Sequence, residues 1–314
     1  MVPWNHIFVP VTAKHASKPR GCTNTDKIYS CNFSQMDATQ IGRVLSDLEV
    51  ADHLAALELN GFTVIKQLIT AEHALELAAT AENVRASCGF SCPPVGRQAI
   101  IANDITVNNA ISYDEKFLQL ALSGGHLRVI AKFLNDTHYG LLPKEHYNFI
   151  LAQANLRKGG VPLPMHVDVR MQSPGPRTTC MQAVLAFGTH SKSDGCLRAR
   201  IRSHLLSHFP DENKTYDDEV DIPLEIGDMV VFYSQLHHAT NTCLNGIGPW
   251  KFLLSYRQWW IKPQYDFVAM LRRDMRDTYD KLTPNQKVVL GCCSIPSSDP
   301  KSSPSFRLGY DGLV

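Results

Sequence analysis

Between about residues 148 and 260 the chain repeats one pattern. Short apolar runs, rich in β-branched and aromatic residues, alternate with Gly, Pro, Ser and Asp. The runs cover 149–156, 161–169, 178–187, 197–201, 229–232 and 252–260. Runs of that length bounded by turn formers read as strands, and a series of them predicts a β-sandwich or barrel. The flanking sequence has helical spacing instead. Ile41, Val44, Leu45 and Leu48 fall at i, i+3, i+4 and i+7, and Leu54 and Leu57 continue the series, so one or two helices are expected over 37–59. Asn60-Gly61 is a stop signal, and 62–66 reads as a short strand. Thr70 is placed to cap a helix to about residue 87, with Leu75, Leu77 and Ala78 facing inward. Helical patterns return over 115–134, interrupted at Gly124-Gly125, and over 265–282 with Phe267, Met270, Leu271 and Met275. Pro284 breaks that helix or opens a further turn before 286–290. The expected fold class is therefore α+β with a mainly β core and helices packed around it. The expected layout is an irregular arm over 1–33, a single domain over 34–290 and a tail over 291–314.

Charge narrows the partners. The 31 Lys and Arg against 30 Asp and Glu leave a net charge of +1, which argues against a phosphate-neutralising nucleic-acid binder and against a polybasic membrane anchor. No apolar run is long enough to span a bilayer, and the first residues lack the order of a secretory signal, so a cytoplasmic location is expected. A small-molecule substrate is favoured. Nine scattered cysteines, an odd number, fit reduced thiols better than a disulfide framework. Cys88 with Cys92, and Cys292 with Cys293, lack the second pair that structural zinc needs.

Two segments carry candidate chemistry. In Pro164-Met-His166-Val-Asp168, strand alternation aims an imidazole and a carboxylate at one point. Alone, such a pair is as well explained by a mutual hydrogen bond. Downstream, Gly227-Asp228 leads through an apolar run to His237-His238. Adjacent strand residues face opposite sides, so only one of these histidines can join the first pair. Two imidazoles and one carboxylate on a β core make the facial triad of non-haem Fe(II), which leaves three adjacent positions open.

These residues resemble the phytanoyl-CoA dioxygenase group of Fe(II)/2-oxoglutarate oxygenases, including its fungal secondary-metabolite members. The resemblance runs from about Gly61 to Tyr256. It is carried by the opening strand Gly61-Phe-Thr-Val-Ile, by His166-Val-Asp168, by Asp194-Gly-Cys-Leu-Arg with Ser203-His204, and by Gly227-Asp228 followed by a histidine eleven residues after the glycine. That spacing selects His238 and leaves His237 as a surface or supporting histidine. The resemblance implies a double-stranded β-helix (jelly roll, cupin-like) flanked by helices. It implies Fe(II) held by His166, Asp168 and His238, with 2-oxoglutarate and O2 as cosubstrates, and oxidation of a small molecule by hydroxylation, desaturation or cyclisation.

The family usually places an arginine eleven to thirteen residues after the distal histidine to hold the far carboxylate of 2-oxoglutarate. Here position thirteen is Lys251, and the first arginine is Arg257, which shares its strand parity. Arg198 is a third candidate; Arg198 and Lys251 stand ahead of Arg257. Gln182 is a candidate for lining the cosubstrate pocket. His204, Trp250, Trp259 and Trp260 read as structural residues, and Asn103, Asn108 and Asn109 as loop. Competing readings are a metal-dependent isomerase or epimerase on the same scaffold, a non-catalytic binding relative, and a zinc hydrolase. Exposed apolar residues in the helical additions would support a homodimer.

Overall fold

The computed structural model describes residues 41–88, 104–136, 147–169 and 178–292, within a unit spanning 38–314. The expected arm, nearly all of the expected tail, Asn103 and the side chains of five cysteines lie outside the described residues. The four described cysteines, Cys180, Cys196, Cys243 and Cys292, are free.

Two antiparallel sheets face each other. The larger has the order β1 (Phe62–Ile65), β7 (Met229–Tyr233), β4 (Cys180–Ala186), β9 (Lys251–Gln258), β3 (Phe149–Gly159), β2 (Asp104–Val107). The smaller has the order β6 (Glu219–Ile222), β5 (Leu197–Arg200), β8 (His238–Thr240). Alternation explains why every residue of β7 is buried. Met229, Val231 and Tyr233 join the core beneath the helices, whereas Val230 and Phe232 face the space between the sheets. One part of that space is filled by Phe232, Leu224, Leu236 and their neighbours; the remainder is a cavity.

Five of the six expected strands form, with ends shifted by a few residues. The stretch 161–169 does not become a regular strand: only His166 bridges β8. Pro162 and Pro164 have no N–H to give to a ladder. The four-residue strands β2 and β6 and the three-residue β8 are too short and too polar to show in the pattern.

The helices are α1 (Asp47–Asn60), α2 (Ala71–Cys88), α3 (Glu115–Ser123), α4 (His126–Leu134), α5 (Phe267–Asp274), α6 (Arg276–Lys281) and α7 (Pro284–Leu290). The stripe beginning at Ile41 is not a helix. Ser46 and Glu49 form a capping box that starts α1 at Asp47, and Val44 and Leu48 stand in solvent. Leu75 on α2 is also exposed, while Leu77 is buried. The expected helix over 265–282 is two, because Met275 leaves helical geometry between α5 and α6. Gly61 closes α1 at φ +88°, and a Cβ there would meet His204 Nδ1 at 2.5 Å.

Asp228 locks β1 to the turn before β7. It is 1% exposed and accepts from Lys66 Nζ at 2.7 Å, Gln67 N at 2.9 Å and Glu225 N at 2.9 Å. Asp228→Ala strands two backbone donors, so urea unfolding is expected to show a loss of about 3 kcal/mol. An unchanged midpoint would assign the lock to other contacts.

Candidate metal centre and adjoining cavity

His166 and His238 are paired by backbone before they are paired by chemistry. His166 N donates to His238 O at 2.8 Å and His238 N to His166 O at 2.9 Å, so the two residues lie opposite each other. Their rings lie 4.2 Å apart. Asp168 is fixed next to them by its own N–H, which donates to Ser234 O at 2.9 Å. One ligand atom from each of the three side chains falls within 4.8 Å of the others. Among the described residues it is the one such cluster of three His, Cys, Asp or Glu side chains.

The hydrogen bonds set the tautomers. His166 Nδ1 donates to Pro164 O at 2.8 Å and His238 Nδ1 donates to Leu236 O at 2.9 Å. Each Nε2 is thereby left as a lone pair, 3.7 Å and 3.5 Å from the Asp168 oxygens. Burial holds the His238 pKa below its ordinary value, which keeps the ring neutral. At His166 burial acts downward too, but the bond to and charge of Asp168 outweigh it and raise the pKa. Asp168 is held below the usual carboxylate range: burial opposes this, and the facing imidazoles of His238 and His166, with the Arg257 guanidinium, overcome it. Two imidazole lone pairs and an ionised carboxylate on one face suit Fe(II), with further positions open toward the cavity.

That cavity holds about 180 Å³ between the sheets. Besides the three ligands it is lined by Gln182, Lys251 and Arg257, as the sequence suggests, and by His190, Arg157, Ser255 and Phe232, which it does not. His190 follows β4 in a segment without strand or helix periodicity, so nothing in the sequence marks it. A second, open cleft of about 510 Å³ meets the first at Leu163 and His166 and is walled by Phe209, Pro210 and Glu212.

Arg198 is a correction. Leu197 faces the cavity, so its neighbour on β5 points the other way, and Arg198 Nε pairs with Glu219 at 2.8 Å. His237 also differs from a surface residue. It is 1% exposed on the far side of β8, donates from Nε2 to His208 O at 2.9 Å, and accepts at Nδ1 from Arg200 at 3.2 Å. His204 stacks on Tyr233 with centroids 4.8 Å apart. Trp250 and Trp259 are tied to Glu82 and Asp136, and Trp260 is exposed.

Lys251 is a half-buried cation of the cavity. Burial, then the charge of Arg157, brings its pKa down to about 8. Its ammonium has no hydrogen-bond or carboxylate partner among the described residues. Arg157 beside it is already neutralised by Asp104, through Nε at 2.9 Å and Nη2.

Comparison with known proteins agrees with this geometry. The model of the family described as phytanoyl-CoA dioxygenase (PhyH) matches residues 57–246. Among curated proteins none matches. Of solved structures, HygX from Streptomyces hygroscopicus with nickel and 2-oxoglutarate bound superposes with TM-score 0.53 at 14% identity, over 69% of this chain and 88% of that one. The epimerase SnoN in complex with Fe3+, alpha ketoglutarate and nogalamycin RO gives TM-score 0.51 at 18% identity, over 72% and 90%. EctD from S. alaskensis gives TM-score 0.54 at 18% identity, over 73% and 85%. These likenesses carry the fold, and the family match carries more than half of the chain. The two facing sheets, the three converging side chains and the family match make one statement: this chain belongs to the phytanoyl-CoA dioxygenase family of Fe(II)/2-oxoglutarate-dependent oxygenases.

Proposed function

We propose that the protein oxidises a small organic molecule, by hydroxylation, desaturation or cyclisation, with Fe(II) held by His166, Asp168 and His238. The observation that carries this reading is the cluster of three donor atoms within 4.8 Å, opening on a cavity lined by the Lys251 ammonium. Bound ferrous iron supplies the chemistry that couples 2-oxoglutarate decarboxylation and O2 reduction to substrate oxidation. The residues do the rest. The carbonyls of Pro164 and Leu236 keep both Nε2 atoms facing the metal position. Lys251 binds the distal carboxylate of 2-oxoglutarate, with the His190 imidazole on the same cavity wall. Phe232, packed edge-on against His238 at 4.9 Å, keeps water from that side. The outer cleft admits the substrate past Phe209.

A role in secondary metabolism is our inference, supported by fold neighbours such as SnoN and the carbocyclase SnoK from nogalamycin biosynthesis. No described helix is long and apolar enough to cross a membrane.

The test is anaerobic loading with Fe(II), then exposure to O2 and 2-oxoglutarate, with succinate and product mass as readouts. A product that gains oxygen or loses hydrogens supports the reading; an unchanged mass makes the protein an epimerase. Without succinate formation the cosubstrate assignment fails. Lys251→Ala is expected to weaken 2-oxoglutarate binding by about 10- to 100-fold, the loss of one charge-assisted bond. In the parent protein the affinity falls as pH rises through about 8, where Lys251 gives up its proton. Equal affinity for Lys251→Ala would place the carboxylate elsewhere.

A further inference from the structure

The cavity holds one more cation than iron and 2-oxoglutarate require. Strand β9 presents Lys251, Leu253, Ser255 and Arg257 to it on one face. Lys251 and Arg257 are six residues apart, about 20 Å along the strand. Ser255, between them, is opposite Gln182, which is opposite Phe232, whose ring packs on His238. The metal position therefore lies between the two cations. Arg257 is on the Asp168 side: the Asp168 N–H bonds Ser234 O, the Ser234 N–H bonds Cys180 O, and Cys180 is the cross-strand partner of Arg257.

Arg257 has no carboxylate of its own among the described residues. Its Nη1 reaches only the Lys262 carbonyl, at 3.4 Å, and its buried Nε has no acceptor. Charge counting then singles it out. Ferrous iron with Asp168 carries one positive charge, and Lys251 and Arg257 add one each. A bound 2-oxoglutarate dianion would remove two, with Lys251 holding its far carboxylate. One positive charge is left at Arg257, facing a cavity. Arg257 is half-buried with its Nε fully enclosed, so a charge without a counter-charge there is unfavourable, and a guanidinium fork matches a carboxylate in two parallel bonds.

We propose that the substrate carries a carboxylate and that Arg257 binds it, which fixes which end of the substrate approaches the metal. This rests on the Fe(II)/2-oxoglutarate reading above and adds a substrate class to it.

The experiment is anaerobic calorimetry on the full chain loaded with Fe(II) and 2-oxoglutarate. The probes are acetate, phenylacetate and octanoate, each paired with its neutral amide. Parent protein is expected to prefer at least one carboxylate over its amide. Arg257→Ala is expected to weaken that carboxylate by about tenfold or more, and Arg257→Lys to recover part of the loss. The affinity for 2-oxoglutarate, measured first, should stay within about twofold in Arg257→Ala, since Lys251 holds its far carboxylate. Absence of carboxylate-over-amide preference across the panel overturns the proposal. So does equal carboxylate affinity in parent and Arg257→Ala, or a variant that loses 2-oxoglutarate instead. Failure of the parent protein to take up Fe(II) or 2-oxoglutarate appears before any probe is added, and it condemns the underlying reading rather than the role of Arg257.

Discussion

Alanine at His166, Asp168 or His238 is expected to abolish succinate formation and to lower iron affinity by about a hundredfold or more, since even the partners that orient such ligands contribute tenfold to a hundredfold. Each side chain supplies one of three donor atoms that meet within 4.8 Å, and no other His, Cys, Asp or Glu among the described residues completes such a set. His237→Ala is the informative control. His237 is next in sequence to His238 but faces the opposite side of β8, bonded to His208 O and Arg200. Its loss should lower stability by about 1–3 kcal/mol and leave iron stoichiometry intact. Anaerobic iron titration of the four variants, with urea unfolding alongside, checks both halves. Full iron affinity in His238→Ala, or its loss in a folded His237→Ala, would reverse the assignment.

Acid is expected to unfold the protein through its buried neutral histidines, His126 above all. His126 is completely buried at the start of α4. Its Nε2 donates to Tyr256 Oη at 2.9 Å, and the Tyr256 hydroxyl donates onward to Ala121 O at 2.8 Å. Its Nδ1 is buried without an acceptor. A second proton there has no partner and would sit at the positive end of a helix. Burial accordingly pushes the His126 pKa down to about 3. The unfolded chain binds the proton near its ordinary value, so between that value and about 3 unfolding takes up a proton and stability rises with pH. The contribution is complete above about pH 6.5 and disappears as pH falls toward 3; the loss is about 3 kcal/mol by pH 4 and ~5 kcal/mol in full. His190, at about 3, and His237, at about 4, are lowered mainly by burial and steepen the same limb. His126→Phe keeps the volume and the Tyr256–Ala121 bond. The stability difference between pH 7 and pH 4, from urea unfolding, should shrink in this variant by about 3 kcal/mol. An unchanged difference would mean that His126 is not what acid attacks.

How far the molecule was legible differs from element to element. β3, β4, β7 and β9 could be read because alternation and β-branched composition are local signals. The helix break at Gly124-Gly125 was equally local, and α3 and α4 flank it. The Ile41 stripe is not a helix, because a capping box that apolar spacing does not reveal starts α1 six residues after Ile41. Among the site residues, His166, Asp168 and His238 were readable from residue type, spacing and resemblance. The place of Arg198 was not legible, since the side of β5 that faces the cavity depends on its pairing with β6 and β8. His190 carried no signal, and Arg157 could be recognised as neutralised only once β2 was paired with β3.

The sequence by itself determined the β-rich scaffold and the local pairing of His166 with Asp168, because strand periodicity and the i, i+2 alternation belong to residues a few positions apart. Only the tertiary structure decided which cations face the metal position, which are spent on Asp104 and Glu219, and where His237 points. Those outcomes depend on which strands become neighbours and on how much water each side chain keeps, and both arise from contacts between residues from about twenty to about a hundred positions apart.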